Sequence, residues 1–466
     1  MDVGMIIGLV VTIVVIAGLS IFSGTRAKGG ESAKNGSAIV AGVIIGTLVG
    51  GSSTVGTAQL AYNYGMSAWW FTLGGGIACL ILAIFYVGPL RHKNCPTLVG
   101  MIRQEYGDGA GMAASLLSSV GTFINIISQL ISATAVIAVI LPTLGTVPAL
   151  IISAAFMVLY VVFGGTKGAG MVGILKTLLL YVAMMGCLVM VLYLTGGLRE
   201  FVTMVNGIDN PDGVHFFSLI ARGAGEDIGA GLSLVLGVLT TQTYAQAVLS
   251  AKSDAAGRRG ALLSAFLIPP IGVGGILVGL YMRATHPGIV AKTALTAFTL
   301  EYMPPVLAGV ILGTLFIAVV GTGAGLALGI STIVSNDIVK KVTHRLDDPK
   351  KSGLFSKLCI VLVLALACCL STGSLGDTIL QFAFMSMGLR GAVVFIPLCA
   401  ALWLPGKIDK KFAIASIIVS PIIVLLFGTV FADLIPIDSL FIGILASIII
   451  MGAGLAAGRK KPEIAL

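Results

Sequence analysis

Long apolar runs separated by short polar breaks fill almost the whole chain. A helix needs about 20 consecutive apolar residues to cross roughly 30 Å of hydrocarbon. The pattern predicts thirteen such spans, near residues 4–22, 37–62, 68–90, 112–141, 146–164, 171–195, 229–251, 260–283, 306–335, 354–372, 377–403, 412–431 and 437–458. Little sequence remains for a soluble domain, so we expect an all-α membrane protein with a single transmembrane domain over residues 1–466.

Composition supports this prediction. Of the 466 residues, 57% are hydrophobic and only 10% are charged, and the mean hydropathy is +1.07. A soluble core of this size could not bury so much apolar surface. No basic segment precedes the first run and no small-residue cleavage site clearly ends it, so we expect a retained helix and not a signal peptide.

Residues for catalysis or metal chemistry do not cluster in the spans. The seven cysteines lie mostly in apolar runs without metal-type spacing, which favours core packing. The four histidines all lie in predicted breaks. Because no nucleophile, acid pair or metal cluster converges in the spans, we expect that the protein is not an enzyme.

Basic residues predict the orientation of the spans, since Lys and Arg near span ends remain in the cytoplasm. If the amino terminus is outside, the inner breaks and the carboxyl terminus hold 22 of the 28 basic residues. This distribution predicts a multi-pass protein of the cell (inner) membrane with its carboxyl terminus in the cytoplasm. It also accounts for the net charge of +9 without nucleic acid as a partner.

Two of the predicted outer breaks are long. Residues 195–229 are polar and could cap an outer vestibule. Residues 284–305 contain AKTALTAFTLEYMPP, which predicts a short amphipathic helix against the outer face.

Two spans carry dense glycine, hydroxyl and amide groups at membrane depth: GGSSTVGTAQLAYNYG at 50–65 and GVLTTQTYAQAVLSAKS at 237–253. Irregular backbone is tolerated there only where protein or a water-filled cavity satisfies it. A pair of interrupted helices in corresponding halves is typical of transporters built from inverted repeats, and unwinding frees carbonyl oxygens for a cation. The alternative is that the small residues only allow close helix packing.

Several stretches carry a resemblance to a known family: GGSSTVGTAQLAYNYGMSAWW, PTLVGMIRQEYGD, GGTKGAGMVGILK, TYAQAVLSAKSDAAGRRG and AGLALGISTIVSNDIVKK. In order and spacing the chain resembles the sodium:solute symporter family, which includes bacterial proline, pantothenate, sialic acid and galactose symporters. The resemblance implies a leucine-transporter-type 5+5 inverted-repeat core. Its first repeat would span 37–195 and its second 229–403, with peripheral helices at 4–22, 412–431 and 437–458.

The family resemblance also implies a function. It implies sodium-coupled symport of a small organic solute into the cell by alternating access, with sodium as the coupling ion. The expected partners are the solute, sodium and the lipid bilayer. The oligomeric state is open, and a monomer is expected to suffice for transport.

The resemblance places a sodium site between the first and eighth core helices. Carried over by matching motifs, its ligands are the backbone carbonyls of Ser52, Val55 and Ala318 and the hydroxyl of Thr322. Relatives usually have serine at the position of Gly321 and aspartate at that of Gly173, so this chain lacks two expected oxygen donors.

Two interpretations of these departures are open. Gly321, Gly325 and Gly329 could form a packing face while water, Ser53 or Thr54 supplies the missing oxygen. Alternatively, the ammonium of Lys176 could occupy the ion site and make the protein proton-coupled or sodium-independent. Lys176 could also simply extend toward the inner surface.

The substrate site in relatives lies beside the two broken helices. Here this implies Gln59, Tyr62, Thr241, Thr243 and Tyr244 as substrate-binding residues. Arg390 lies in a span, where a cation costs roughly 2.5 to 3.5 kcal/mol on insertion scales, so it should face a cavity or a partner. An amino acid or other carboxylate is the expected partner. The alternative is that Arg390 binds backbone carbonyls of a broken helix.

A sensor or channel on the same scaffold is the alternative of another class. A sensor would normally append a signalling domain, whereas only GRKKPEIAL follows the last predicted span. A channel predicts flux that does not saturate.

Overall fold

The computed structural model describes residues 2–26, 35–164, 169–209, 213–339, 349–372, 379–431 and 437–458. Within these ranges the regular secondary structure is helical, and strand-like pairing is limited to one bridge between Asn35 and Ala251. Some basic residues that predict the orientation lie outside the described residues: Lys28, Lys34, Lys167, Lys340, Lys341, Arg345, Arg459, Lys460 and Lys461.

Nineteen α-helices follow one another in the described ranges. They are α1 Val3–Arg26, α2 Ser37–Leu48, α3 Thr57–Tyr64, α4 Trp70–Ile81, α5 Val87–His92, α6 Leu98–Tyr106, α7 Asp108–Ile140, α8 Thr146–Gly164, α9 Ala169–Thr195, α10 Leu198–Asn206, α11 Ala224–Thr240, α12 Gln242–Leu249, α13 Asp254–Thr285, α14 Ala294–Tyr302, α15 Pro305–Ile333, α16 Pro349–Ser371, α17 Ile379–Trp403, α18 Lys410–Thr429 and α19 Ser439–Gly458.

These helices confirm the all-helical membrane fold. In the described ranges, nine helical stretches are long and apolar enough to cross a bilayer, and the bent pair α11 and α12 makes a tenth. One of the nine, Ser52–His92, holds the second half of the second predicted span and all of the third. Three shorter apolar helices lie at Val3–Leu19, Ser37–Leu48 and Thr146–Val161. The number of crossings stays a prediction.

Three short helices lie in the breaks between predicted spans. The amphipathic pattern in 284–305 predicts one of them, which the structure places at Ala294–Tyr302. The other two, α6 and α10, have no counterpart among the predicted spans. Thr97 is the N-cap of α6. Its side chain accepts a hydrogen bond from Gly100 N at 2.9 Å and so satisfies a backbone donor that has no partner within the helix.

Both polar breaks interrupt a helix. Between α2 and α3, Val49 leaves the helical region (φ −86°, ψ 96°) and a π-helical turn follows at Ser52–Gly56. Between α11 and α12, Thr241 is extended (φ −89°, ψ 123°) and the two halves meet at 48°. The two breaks lie in the first helix of each predicted repeat, which is the arrangement expected for inverted repeats.

A buried ion pair lies beside the first turn of α11. The guanidinium of Arg222 contacts the carboxylate of Asp227 at 2.6 Å, and Asp227 is fully buried. Arg222 also lies 5.9 Å from the centre of the Phe384 ring on α17. The segment before α11 is therefore fixed to the end of α17, within the region predicted to cap the outer vestibule.

Candidate ion and substrate sites

The side chain of Lys176, on α9, reaches the point where α2 ends beside α15. Its Nζ donates hydrogen bonds to the carbonyl oxygens of Gly46 at 2.6 Å and Ala318 at 3.0 Å, and to Thr322 Oγ1 at 3.0 Å. An ammonium group has three N–H donors, so these three oxygens satisfy all of them. Lys176 is only 6% exposed, and its charge is therefore held inside the protein.

The end of α2 explains why a cation is stable here. Gly46 lies in the last turn of α2, where carbonyl oxygens have no partner within the helix and carry the negative end of the helix dipole. The break after Val49 exposes these oxygens inside the protein. The interrupted helix thus provides a cation site, as unwinding of a transporter helix is expected to do.

Close packing of α9 on α2 brings the lysine to this site. At Gly173, three residues before Lys176, an added Cβ would overlap the carbonyl oxygen of Gly42. At Gly46, an added Cβ would lie 2.7 Å from Gly173 Cα. An aspartate at position 173 would therefore collide with the backbone of α2. Glycine at position 173 therefore has two effects. It replaces the carboxylate that relatives carry there, and it lets α9 approach α2 closely.

The residues implied as sodium ligands lie around the same break. Ser52 and Val55 are buried in the π-helical turn, and the carbonyl of Ser52 accepts a hydrogen bond from Thr57 Oγ1 at 3.3 Å. Gly50 contacts Thr322 so closely that an added Cβ would lie 2.9 Å from its hydroxyl oxygen. Of the four implied sodium ligands, Lys176 contacts Ala318 and Thr322. Its hydrogen bond to the broken helix is to Gly46, which is not one of the four.

A polar strip on α7 supports the break, and sequence reasoning missed it. Gln129 Oε1 accepts from Gly51 N at 3.0 Å, and its Nε2 donates to Ser52 Oγ and to Asn125 Oδ1, both at 3.2 Å. Ser128 Oγ lies 2.9 Å from Ser52 Oγ. The signal was the spacing of Asn125, Ser128, Gln129 and Ser132, which places polar groups on one face of an apolar helix.

Tyr160 of α8 lies beside Gly321. A Cβ at position 321 would be 3.4 Å from the Tyr160 hydroxyl oxygen and 3.4 Å from Cζ, which is tight but near ordinary contact. The serine that relatives carry at this position would therefore fit with a small adjustment. The substitution Gly321→Ser can thus restore the hydroxyl oxygen that relatives have at this position.

Arg390 lies on α17 opposite the second break. Its Nη1 donates to Thr241 Oγ1 at 2.8 Å, Nη2 contacts Ser386 Oγ and Met387 Sδ, and Nε donates to the Ser386 carbonyl at 3.2 Å. All of these acceptors are neutral, and Arg390 is 3% exposed. Within the described part of the chain no carboxylate neutralises this guanidinium, and one N–H of Nη1 is not used by these contacts.

The structure brings some of the implied substrate residues together and separates others. Thr241 contacts Arg390, and Tyr244 is buried one turn further along α12. Thr243 is half-buried in the first turn of α12. Gln59 lies across the break, where its Oε1 accepts from Ile379 N at 3.0 Å. Tyr62 has other partners, because its hydroxyl donates to the His286 carbonyl at 2.8 Å and its ring lies beneath the guanidinium of Arg283.

Comparison with known proteins identifies the class to which this geometry belongs. The profile of the sodium:solute symporter family matches residues 33–433. The chain belongs to the sodium:solute symporter family. It is therefore a multi-pass membrane protein of a transporter family, and the resemblance drawn from the quoted motifs is confirmed.

Individual transporters are similar to this chain over most of its length. The sodium/pantothenate symporter of Escherichia coli (strain K12) is 22% identical over 495 residues, covering 99% of this chain and 98% of the relative. The high-affinity choline transporter 1 of Drosophila melanogaster is 21% identical, covering 72% of this chain and 57% of that protein.

Solved structures show the same fold. A Na⁺-coupled sialic acid symporter superimposes with a TM-score of 0.77 at 17% identity, covering 98% of both chains. Mhp1, a nucleobase-cation-symport-1 family transporter, superimposes with a TM-score of 0.58 at 12% identity, covering 92% of this chain and 94% of its own. The leucine-transporter-type architecture is therefore confirmed.

Proposed function

We propose that this protein is a secondary active transporter that moves a small organic anion into the cell by alternating access, and that Lys176 supplies the cation of its ion site. The observation that carries the proposal is the set of three hydrogen bonds from Lys176 Nζ to Gly46, Ala318 and Thr322. Two of these residues are implied sodium ligands, so a lysine ammonium and a sodium ion would compete for the same oxygens.

The departures at 173 and 321 agree with a built-in cation. Sodium in this position needs several oxygens at once, and both positions where relatives add an oxygen carry glycine here. An ammonium needs only three acceptors, which the site supplies. In this cycle the coupling ion is a proton carried on Lys176 Nζ. The protonated ammonium group holds the end of α2 through its hydrogen bond to Gly46, and the neutral amine releases it.

The substrate class follows from Arg390. A buried guanidinium surrounded by neutral acceptors is costly to keep in a membrane protein and marks a ligand or ion path. A carboxylate would compensate its charge through charge-assisted hydrogen bonds. Thr241 and Tyr244 would then contact the carboxylate at the second break, with the remainder of the solute between α3 and α7.

Sodium-coupled symport of an organic solute is the second candidate, because the chain belongs to the sodium:solute symporter family and matches a Na⁺-coupled symporter over its whole length. In that cycle sodium would bind Ser52, Val55, Ala318 and Thr322, and Lys176 would have to leave Ala318 and Thr322 whenever sodium binds. Both candidates share the fold, the alternating-access cycle and the location in the inner membrane with the amino terminus outside.

Uptake into proteoliposomes separates the two. A panel of radiolabelled carboxylates and amino acids is presented with a sodium gradient, a proton gradient or neither. We expect saturable uptake that follows the proton gradient and ignores sodium. Sodium-driven accumulation by the wild-type protein would instead establish the second candidate, and flux that does not saturate would indicate a channel.

Lys176→Met is the matched variant for this assay. It retains much of the side-chain length and removes the charge, so accumulation driven by the proton gradient should disappear while saturable exchange of the solute remains. Unchanged proton-driven accumulation in Lys176→Met would contradict the assignment of the proton to Lys176.

A further inference from the structure

A second basic side chain faces the broken first core helix, near its outer end. Gly275, Gly279 and Arg283 are spaced four residues apart on α13 and so share one face. Gly279 packs directly against α3, since an added Cβ there would overlap the carbonyl oxygen of Ala58 and lie 2.9 Å from Tyr62 N. Arg283 is one turn further along, and its side chain therefore meets α3 at Tyr62.

The contact between these two residues is a cation over an aromatic face. The guanidinium carbon of Arg283 lies 5.4 Å from the centre of the Tyr62 ring. Tyr62 is only 2% exposed and its hydroxyl is fixed on the carbonyl of His286, so the ring is a rigid platform. The platform is held by the same segment, the end of α13, that carries the arginine.

The guanidinium group of Arg283 has a hydrogen-bond donor with no acceptor. Its Nε is buried and has no hydrogen-bond partner, and in the described ranges its side chain forms no ion pair. The neighbouring carboxylate of Glu301 contacts His286 Nε2 at 3.3 Å. A half-buried guanidinium without an ion-pair partner would gain free energy from an anionic ligand at its accessible side, since charge-assisted hydrogen bonds from Arg to a carboxylate are strong.

We propose that Arg283 and Tyr62 form a binding site for the carboxylate group of a small organic anion, separate from Arg390 and nearer the outer entrance. The proposal rests on the proposed function, in which such an anion crosses the protein. The outer site binds the anion while the path from this site to Arg390 is closed. When α3 moves, the path opens and the anion moves on to Arg390. Tyr62 thereby has a role in the substrate path through its contacts with Arg283 and His286.

The first experiment does not depend on knowing the substrate. Asn63, exposed and next to Tyr62, is replaced by cysteine as a reporter. The cysteine is treated with a negatively charged methanethiosulfonate reagent (the ethylsulfonate) and, separately, with a positively charged one (the ethyltrimethylammonium). The rate of each reaction is measured from the mass of the peptide that carries residue 63, and the two rates are compared as a ratio. Adding Arg283→Gln should lower the ratio of the two rates about tenfold. The matched control Arg199→Gln, an exposed charge on α10, should change it little.

The second experiment tests the site in transport. With the carboxylate that the uptake panel identifies, Arg283→Gln should raise KM about tenfold and leave the maximal rate unchanged, because a charge-assisted hydrogen bond is lost from an entry site only. Arg283→Lys should recover the rate ratio at the reporter but only part of the affinity, since Lys lacks the planar fork. Arg199→Gln should leave KM as it is.

The outcomes separate this inference from the proposed function. A rate ratio that is the same in the Arg283→Gln and Arg199→Gln proteins, or an unchanged KM in a protein that transports the carboxylate, overturns the outer site and leaves the transporter assignment standing. A wild-type protein that transports no anion at all overturns the proposed function, and the reporter experiment then still decides whether Arg283 attracts anions at this site.

Discussion

The ammonium nitrogen of Lys176 lies 3.0 Å from the hydroxyl oxygen of Thr322, a residue 146 positions away in the sequence. Thr322 is the hydroxyl that the family resemblance assigns to a sodium ion. The ammonium group of Lys176 links three helices at this point, since it donates one hydrogen bond to a backbone carbonyl of α2 and one to a backbone carbonyl of α15.

A sodium site can be restored by design. In Lys176→Ala/Gly321→Ser the ammonium is removed and a hydroxyl is added beside Thr322, where Tyr160 leaves room for a serine. We expect uptake by this double variant to be stimulated severalfold by a sodium gradient, whereas each single variant stays insensitive. A folded double variant that ignores sodium would show that these two positions do not decide ion selectivity.

Gly173 should tolerate no side chain. Gly173→Ala forces a Cβ against the carbonyl of Gly42, so α9 must move away from α2, at a cost of about 1 to 3 kcal/mol for overpacking. We expect a lower thermal unfolding midpoint in detergent and slower uptake. Gly325→Ala is the control on a neighbouring helix, because no atom lies within 4 Å of a Cβ at that position. Equal midpoints for the two variants would contradict the packing described here.

Gln129 should be needed for the first break. Gln129→Leu leaves Gly51 N buried without its acceptor, at a cost of about 1 to 3 kcal/mol, and removes the donor to Ser52. Uptake should fall at least tenfold while the helical circular-dichroism signal is retained. Ser118→Ala on the same helix is the control, since the hydroxyl that it removes is buried and has no hydrogen-bond partner. That variant should transport like the wild type.

Arg390 should decide affinity for the carboxylate. Arg390→Gln leaves Thr241 and Ser386 able to hydrogen-bond but removes the charge, and the KM for a carboxylate should rise about 10- to 100-fold, the loss expected for a hydrogen bond to a charged group. Competition by the corresponding uncharged amide should be unaffected. Full carboxylate affinity in the Arg390→Gln protein would remove the reason for an anionic substrate.

The ion pair before α11 should matter for stability more than for transport. Arg222→Gln leaves the fully buried Asp227 without its partner, at a cost of about 3 to 5 kcal/mol. The thermal midpoint should fall, and Arg222→Gln/Asp227→Asn should recover most of the loss. Glu226→Gln removes the exposed partner of Arg222 and should have little effect, because surface ion pairs contribute little. No recovery in the double variant would indicate that Asp227 has another role.

The sequence by itself determined the membrane fold. Apolar runs long enough for the bilayer can fold there only as helices, because every backbone hydrogen bond must be made within the protein. For the same reason the polar stretches at 50–65 and 237–253 had to be breaks lined by protein. The start of α8 at Thr146, for example, follows directly from the start of the apolar run at 146–164.

Only the tertiary structure decided which polar side chains share a site. From the sequence, the side chain of Lys176 could extend to the inner surface or to the proposed ion site. The close approach of α9 and α2 at Gly173 and Gly46 places its ammonium group against the oxygens of Gly46, Ala318 and Thr322. Tyr62 and Thr241 both lie near a break in the sequence, yet Tyr62 contacts Arg283 and Thr241 contacts Arg390. Periodicity fixes the face of one helix, but the partner of that face depends on how distant helices pack, which is a property of the whole bundle.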